Sequence, residues 1–379
     1  MELKRTEPRD GWEQKIAEAG LIFDQAGGRP YWQEEAYYEF SAREVDDLEE
    51  ATNILHGLCL EAAAQVIERD RLAELAIPAP VAAVIKESWR QERSFTLYGR
   101  FDLAYDGNSP PKLLEYNADT PTMLLEAAVV QWHWLEEKFR GADQFNSIHE
   151  RLLEQWKKLK WSLRHSPLYF TYAEDSLEDL ATVTYLMDTA AQAGLETSEI
   201  VVSDIGWQRD RRQFVDLAAK PIQSIFKLYP WEWLTAEEFG PQLLETYAEM
   251  QWLEPIWKLV LSTKGILPIL WELNPGHPNL LPAWTAAPAT GDWVKKPRFS
   301  REGANVAVQR GGATSLETPG TYGQEGFIYQ QLAPLPNFAG YYPVLGSWII
   351  GGEAAGMGIR ESASLVTGQE SRFVPHLFR

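Results

Sequence analysis

Apolar residues in the first quarter of the chain recur three and four positions apart, the spacing of one face of an α-helix. The spacing predicts a long helix over residues 32–76 and a second helix over about 79–91. The apolar positions of the longer helix are Leu48, Ala51, Leu55, Leu58 and Ala62. We therefore expect a helical N-terminal segment.

Strand-like segments separated by turn residues follow the second helix. Residues 95–103 and 112–117 predict two strands, and residues 106–110 (DGNSP) predict the turn between them. Together these segments predict a β-hairpin. Pro121 can then occupy the first turn of another helix, with Thr120 as its cap.

The middle of the chain alternates between strand-like and helical segments, which is the rhythm of βαβ units. The strand-like segments are residues 168–170, 200–202 and 222–229, and the helical segments are residues 175–194 and 231–262. This alternation predicts an open α/β lobe.

The last third of the chain has short strand-like segments joined by glycine turns, which predicts an antiparallel β-rich lobe. These segments are residues 266–270, 293–296, 304–309, 327–332 and 344–350, with a tight turn at Gly351-Gly352. We expect a single body of the α+β or α/β class with a cleft between its lobes. The expected lobes are helical residues 1–92, α/β residues 93–262 and β-rich residues 263–379.

The composition narrows the range of partners. The chain has 379 residues and a formal net charge of −19, and an acidic surface repels nucleic acid and anionic membranes. No apolar run approaches the ~18 residues of a membrane span and no apolar leader pattern is present, so we expect a cytoplasmic protein. The single cysteine, Cys59, lies in an apolar helical stretch, so we expect it to be buried and not a nucleophile.

Oxygen-bearing side chains on the predicted hairpin form the first candidate site. Residues i and i+2 of a strand face the same side, so pairing can bring Asp102, Glu115 and Asn117 together, with Arg100 beside them. Two carboxylates and an amide are hard oxygen ligands that suit Mg²⁺. An exposed strand face with a surface salt bridge is the alternative, and residues 272–274 (ELN) repeat the Glu-x-Asn spacing elsewhere.

A cluster of cations is the second candidate site. The phosphate-binding motif G-x-x-x-x-G-K-[ST] is absent, but residues 295–303 (KKPRFSREG) gather four cations and a glycine after a strand in an acidic chain. Such a loop can close over nucleotide phosphates, although a solvated basic turn is an alternative. Lys264 is a further candidate cation. Arg360 can stabilise a phosphoryl group in transfer, or it is a surface residue.

With these residues in place, the sequence resembles the synthetase domain of glutathionylspermidine synthases, which is ATP-grasp-like. The matching positions run from about residue 95 to the C-terminus, and their combined spacing is specific. The matching stretches are residues 99–102 (GRFD), 114–119 (LEYNAD), 296–297 (KP), 301–303 (REG), 328–332 (IYQQL) and 359–360 (IR).

The resemblance implies a ligase that uses ATP and Mg²⁺ to join a small-molecule carboxylate to an amine through an acyl phosphate. It also implies a role for each matching residue. The implied Mg²⁺ ligands are Asp102, Glu115 and Asn117, and the implied ATP contacts are Arg100, Lys264, Lys296, Arg301, Gly303, Gln331 and Leu332. Arg100 and Arg360 are the implied catalytic arginines.

Two departures from the family pattern concern the substrates. Members that make glutathionylspermidine often carry an amidase domain ahead of the synthetase, whereas this sequence resembles a stand-alone acid–amine ligase. Residues 119–123 (DTPTM) stand where small, Ser-rich residues usually grip glutathione. The resemblance therefore predicts the reaction class more firmly than the substrates. The alternative hypotheses are a glutathionylspermidine synthase proper and a non-catalytic nucleotide-binding relic.

Overall fold

The computed structural model describes residues 1–22, 25–26, 28–164 and 167–379. Its helices and strands form a mixed α/β fold with several sheets. The helices are α1 (Trp12–Glu18), α2 (Ala42–Glu68), α3 (Ala79–Glu92), α4 (Gln131–Lys138), α5 (Ile148–Lys160), α6 (Leu177–Gln192), α7 (Trp231–Leu234), α8 (Gly240–Glu245), α9 (Leu259–Ser262) and α10 (Ile266–Leu273). The strands are β1 (Glu2–Arg5), β2 (Gln25–Ala26), β3 (Arg29–Pro30), β4 (Ala36–Phe40), β5 (Tyr98–Ala104), β6 (Lys112–Asn117), β7 (Leu168–Tyr172), β8 (Thr197–Val201), β9 (Gly206–Gln208), β10 (Gln213–Val215), β11 (Ser224–Leu228), β12 (Gln251–Leu253), β13 (Ala283–Trp284), β14 (Trp293–Pro297), β15 (Ala307–Arg310), β16 (Ala313–Glu317), β17 (Phe327–Gln331), β18 (Tyr342–Ile350), β19 (Glu353–Ser362), β20 (Arg372–Val374) and β21 (His376–Phe378).

Helix α2 begins ten residues later than the spacing of its apolar positions predicted. Ser41 and Glu44 form a capping box at its start, in which each side chain accepts a hydrogen bond from the other residue's backbone N–H. The residues before this cap form β4, which pairs antiparallel with β1 and parallel with β21. The prediction of one helix over residues 32–76 is therefore wrong before Ala42, because a buried strand and a helix-start signal interrupt it. It is also wrong after Glu68, where Asp70 takes a φ of 59° and only a short 3₁₀ turn, Leu72–Leu75, follows. Helix α3 confirms the second predicted helix.

The predicted hairpin lies in a five-stranded sheet of order β20-β19-β18-β5-β6. β5 and β6 pair antiparallel, which confirms the hairpin, and β18 pairs with both β5 and β19. The turn between β18 and β19 is made by Gly351 and Gly352, with φ of 60° and 90°, as a two-residue hairpin turn requires. This sheet joins residues 98–117 to the C-terminal strands by backbone hydrogen bonds, and the lobe limits stay a prediction.

Two further sheets complete the frame around the site. The sheet of order β12-β11-β7-β8 is parallel, and α6 connects β7 to β8, which confirms the predicted βαβ rhythm. The antiparallel sheet of order β13-β17-β14-β15-β16 carries the cationic segment on β14. The parallel sheet and the antiparallel sheet both contribute residues to the cavity described below.

Three local predictions are wrong. Residues 231–262 are not one helix but α7, α8, β12 and α9 with turns between them. Residues 266–270 begin helix α10 and are not a strand; the stretch is apolar on nearly every side, so no alternation distinguishes strand from helix. The helix expected to start at Pro121 begins only at residue 124, because Met123 takes a φ of 66°.

The apolar face of α2 packs into the larger of the hydrophobic cores. Cys59 is fully buried in that core, and burial raises the pKa of its thiol, so it is an apolar filler. Within the described ranges, no helix is both long enough and apolar enough to cross a membrane.

Candidate active site

A cavity of about 460 Å³ is lined by residues of both five-stranded sheets and of the loops that follow β7 and β11. The structure brings all of the sequence-derived candidates together in its wall. Those candidates are Arg100, Asp102, Glu115, Asn117, Lys264, Lys296, Arg301, Gly303, Gln331, Leu332 and Arg360. They come from six separate stretches of sequence, so the fold itself assembles the set.

The hairpin register sets the carboxylates side by side. Asp102 lies opposite Glu115, and Arg100 lies opposite Asn117, in the antiparallel pairing of β5 with β6. A register irregularity follows Asp102, where the ladder shifts by one residue. The Asn117 amide lies 3.5 Å from Glu115 Oε1. Two carboxylates and an amide oxygen therefore line one stretch of the cavity wall.

Two arginines from different strands hold Asp102. Arg100 Nε donates to Asp102 Oδ1 over 2.8 Å, and Arg360 Nη2 donates to Asp102 Oδ2 over 2.7 Å. Arg360 lies on β19 and reaches across β18, where Gly346 stands opposite Asp102. A Cβ at Gly346 would lie 2.8 Å from Arg100 Cδ, so a side chain there would displace this arginine. Arg100 Nη1 also donates to the Thr122 carbonyl over 2.7 Å.

Two lysines contact β6 of the hairpin. Lys264 Nζ lies 3.1 Å from Glu115 Oε2 and donates to the Ser300 carbonyl over 2.9 Å. Lys296 Nζ donates to the Leu114 carbonyl over 3.0 Å and to Gln330 Oε1 over 2.8 Å. Each lysine therefore ties the hairpin to the lobe that carries β14 and its loop.

The proximity of these charges shifts their protonation equilibria. Burial alone would raise the pKa of Glu115, but Lys264 and Lys296 outweigh it and lower the pKa to about 2. Burial lowers the pKa of Lys296 to about 8, against the attraction of Glu115. At neutral pH both groups are charged, and the lysine is the one that lies close to its titration point.

The loop after β14 lies across the cavity. Its Arg301 donates to Thr120 Oγ1 over 3.2 Å, and the guanidinium carbon lies 5.4 Å from the centre of the Trp233 ring. Gly303 has a φ of 68°, and a Cβ there would lie 2.5 Å from Val366 Cγ1. Gly303 is thus needed both for its backbone conformation and for the close approach of residues 365–369. Gln331 and Leu332 line the cavity at the end of β17.

Comparison of the whole sequence with protein families gives one match that spans nearly the entire chain. The model described as glutathionylspermidine synthase preATP-grasp matches residues 3–379. The chain belongs to the glutathionylspermidine synthase preATP-grasp family. The resemblance inferred from the short motifs is therefore confirmed.

Relatives of this family member differ in length and in name. It is 43% identical over 364 residues to a Haemophilus influenzae protein provisionally named an acid–amine ligase, with 93% of this chain and 92% of that protein covered. It is 31% identical over 351 residues to the trypanothione synthetase of Crithidia fasciculata, with 84% of this chain but only 53% of that enzyme covered. The chain thus spans about half the length of the latter.

A structural comparison supports the fold of this family member at a greater distance. The apo form of a glutathione synthetase-like effector from Globodera pallida matches with a TM-score of 0.58, at 9% sequence identity and over 99% of this chain and 98% of that one. At this identity the likeness concerns the fold alone. It supports the mixed α/β arrangement of sheets.

Sequence reasoning missed an acidic end of the cavity in this glutathionylspermidine synthase relative. Glu178 and Asp179, at the start of α6, and Glu232, at the start of α7, line the cavity. Burial raises the pKa of Asp179 to about 6 and also raises the pKa of Glu232. The predicted βαβ arrangement could have pointed to this end of the cavity, because ligands of open α/β sheets bind beyond the carboxyl ends of parallel strands such as β7 and β11.

The second Glu-x-Asn triplet lies away from the cavity. Glu272 is exposed on α10 and pairs with Arg71 over 2.8 Å, and the Asn274 amide donates to Leu270 of its own helix. The described residues contain no group of three or more His, Cys, Asp or Glu side chains placed to hold a metal. The metal site at Asp102, Glu115 and Asn117 stays a prediction.

Proposed function

We propose that this chain is an ATP- and Mg²⁺-dependent ligase that joins a carboxylate to an amine through an acyl phosphate, on an ATP-grasp-like fold. The observation that carries the proposal is the pairing of Asp102 with Glu115 inside a cavity that also gathers Lys264, Lys296 and Arg360. Carboxylates for a metal and cations for phosphates are what a nucleotide site needs in an otherwise acidic chain.

The donor set fits a magnesium ion. Asp102, Glu115 and Asn117 would supply the oxygen ligands, since two carboxylates and an amide oxygen are the hard donors that Mg²⁺ prefers. Two arginines and a lysine neutralise these carboxylates in the structure. A bound Mg²⁺ would take the place of these side chains as the positive charge next to Asp102 and Glu115. Bound Mg²⁺ would neutralise phosphate charge.

The nucleotide would lie between the cationic loop and the end of β17. Lys264, Lys296 and Arg301 supply positive charge for the phosphates, and Gly303 lets the backbone approach them. Ser300 and Thr367 also line this space, and their hydroxyls are buried without a hydrogen-bond partner within the described residues. Gln331 and Leu332 would contact the adenine.

The first half-reaction needs positive charge at the transferring phosphoryl group. A carboxylate oxygen of the acid substrate attacks the γ-phosphorus, the bond to the β-phosphate oxygen breaks, and ADP leaves. Arg100 and Arg360 stand on either side of Asp102 and can turn to the charge that develops on the phosphoryl oxygens. The loop at residues 298–303 would exclude water, which otherwise hydrolyses the acyl phosphate.

The second half-reaction uses the acidic end of the cavity. Glu178, Asp179 and Glu232 suit an ammonium group, so we propose that the amine substrate is cationic and binds there. The nitrogen attacks the carbonyl carbon of the acyl phosphate, an amide bond forms, and phosphate leaves.

The experiment that tests the ligase measures ADP release with Mg²⁺-ATP and pools of small carboxylates and amines, with mass spectrometry of the products. The Asp102→Ala/Glu115→Ala variant should lose turnover. The Glu272→Ala/Asn274→Ala variant is a matched control, because it removes the same residue types outside the cavity.

Three outcomes separate the hypotheses. Turnover that requires both an acid and an amine, and that disappears only in the hairpin variant, supports the ligase; glutathione with a polyamine as the active pair would identify a glutathionylspermidine synthase proper. ADP release without amide would indicate a phosphotransferase. No turnover with any pool, together with ATP binding that the hairpin substitutions leave unchanged, would leave the nucleotide-binding relic as the better account.

A further inference from the structure

A buried carboxylate next to the active site has no role in the reaction described so far. Glu126 is 2% exposed, and its Oε1 accepts a hydrogen bond of 2.7 Å from the hydroxyl of Tyr31. Tyr31 lines the catalytic cavity together with Glu178, whereas Glu126 lies behind it. The tyrosine therefore connects the cavity to a carboxylate that is shielded from solvent.

The backbone around Glu126 is held in place. Glu126 begins a π-helical turn, Glu126–Val130, and such turns are often found at functional sites. The Gln131 amide donates to the carbonyls of Ala127 and of Met357 on β19, so the turn is fixed to the sheet that carries Arg360. The carbonyl of Thr122, four residues before Glu126, accepts the hydrogen bond from Arg100. The segment that carries Glu126 is thus bonded to Arg100 and to the sheet that carries Arg360.

The electrostatic surroundings favour reversible protonation of Glu126. Burial is the main cause that raises the pKa of Glu126 to about 7, the nearby Glu178 adds to it, and Arg100 on β5 opposes it. Burial raises the pKa of the Tyr31 hydroxyl, Glu126 and Glu178 raise it further, and the charge of Arg360 on β19 opposes them. Asn146, two residues before α5, is an uncharged neighbour of the turn, and its amide donates to the Ala128 carbonyl.

We propose that Tyr31 and Glu126 form a proton relay that deprotonates the incoming amine in the second half-reaction. This assignment rests on the proposed ligase function. An aliphatic ammonium has a pKa of about 10 and is not a nucleophile at neutral pH. The acidic end of the cavity stabilises the charged ammonium further, so the reaction needs a base close to it.

The relay moves one proton from the ammonium through Tyr31 to the buried carboxylate of Glu126. The ammonium gives a proton to the Tyr31 oxygen while the Tyr31 hydroxyl passes its own proton to Glu126 Oε1. The nitrogen lone pair then forms the C–N bond at the acyl carbon, and the C–O bond breaks with its electron pair on the departing phosphate. The remaining excess proton on nitrogen leaves with the phosphate, and Glu126 returns its proton to solvent through Tyr31 after product release.

The test compares two acceptors in the Glu126→Gln and Tyr31→Phe variants. One acceptor is the amine substrate, and the other is hydroxylamine, which is mostly uncharged at neutral pH and traps the acyl phosphate as a hydroxamate without a base. We expect amide formation at pH 7 to fall by roughly 10²–10⁴-fold in both variants while hydroxamate formation stays within a few-fold of wild type. The double variant should be no worse than either single one.

A buried Tyr–Glu pair elsewhere gives matched controls. Tyr247 donates to Glu92 over 2.7 Å, and neither residue lines the cavity. Glu92→Gln and Tyr247→Phe should therefore leave both products unchanged at a temperature where all the variants are folded. Equal losses of amide and hydroxamate in Glu126→Gln and Tyr31→Phe would show a structural role and overturn the relay, as would full amide formation in either variant.

The pH profile provides a second readout. Wild-type kcat/KM for the amine should fall as the pH drops through about 7, where Glu126 becomes protonated. The deficit of Glu126→Gln relative to wild type should shrink as the pH rises and free amine accumulates. A deficit independent of pH would overturn the relay. A wild-type protein that makes neither amide nor hydroxamate would instead refute the ligase itself.

Discussion

Asp102 lies directly opposite Glu115 across the β5–β6 hairpin, and different cations neutralise the two carboxylates. Asp102 is bound by Arg100 and Arg360, whereas Glu115 is bound by Lys264. Because side chains alternate along a strand, a slip of one residue in this register would move one carboxylate to the opposite face. The hairpin thus places two carboxylates, each with its own counter-charge, on one face of the cavity.

The first prediction concerns this pair. Asp102→Asn or Glu115→Gln removes one anionic ligand, so the Mg²⁺ concentration that gives half-maximal ADP release should rise by at least roughly 10–100-fold. Magnesium titrations of steady-state ADP release would measure the shift. Glu272→Gln, which removes an exposed glutamate in the same Glu-x-Asn spacing, should leave the titration unchanged. Equal shifts in all three variants would argue against a metal site at the hairpin.

The second prediction concerns Arg360. Arg360→Lys keeps the positive charge but loses the planar pair of donors, so kcat for ADP release should fall by roughly 10²–10³-fold while the Kd for ATP changes little. Stopped-flow single turnovers and calorimetry would separate the two quantities. Arg372→Lys is the control, because Arg372 binds Glu361 over 2.7 Å on the neighbouring strand and does not line the cavity. Loss of ATP binding with unchanged kcat would show that Arg360 stabilises bound ATP and not the transition state.

The hairpin was predictable from sequence, and its partners were not. Period-two alternation places Glu115 and Asn117 on one face of β6 and Arg100 and Asp102 on one face of β5, so a hairpin of these two strands can bring the sets together. The contact of Arg360 with Asp102 depends on β18 lying between β5 and β19, a strand order that no local pattern encodes. Only the family resemblance linked that arginine to the site.

The errors have a related cause. Residues 266–270 are apolar on nearly every side and lie against α2 and the other core helices, so the period that distinguishes a helix from a strand is lost. The acidic residues Glu178 and Glu232 lie at the starts of α6 and α7, which look like ordinary helix starts in sequence. They line the same cavity because β7 and β11 are parallel neighbours whose carboxyl ends lie at the same edge of the sheet.

The third prediction is a pH dependence of ATP binding. Lys296 has a pKa of about 8, so it is charged below that pH and loses its charge as the pH rises through it. The Kd for ATP should therefore rise between about pH 7 and pH 9, whereas Glu115, with a pKa of about 2, stays charged throughout. Calorimetric titrations across this range would measure the change.

Two variants test whether Lys296 is the group responsible. Lys296→Gln should bind ATP more weakly and lose the dependence near pH 8. Lys295→Gln, next in sequence, should keep it, because the Lys295 ammonium lies over the Phe327 ring and does not line the cavity. A dependence that persists in Lys296→Gln would assign the titration to another group.

The fourth prediction concerns stability. Lys227 is fully buried, and its Nζ donates to Asp119 Oδ1 over 2.5 Å, while Asp119 Oδ2 also accepts from the Trp231 N–H. Lys227→Met leaves the Asp119 charge buried without its partner, so the free energy of unfolding should fall by about 3–5 kcal/mol. Urea denaturation would measure the loss. Lys86→Met is the control: Lys86 pairs with the exposed Asp70, and surface pairs contribute about 0–1 kcal/mol.

A double variant tests whether the uncompensated charge is the cause. Asp119→Asn added to Lys227→Met removes the buried charge, so it should recover part of the lost stability instead of adding to the loss. The amide oxygen can still accept the hydrogen bond from the Trp231 N–H. A Lys227→Met variant as stable as Lys86→Met would show that the pocket around Asp119 admits water. In that case the tie between β11 and the segment after β6 would contribute little to the fold.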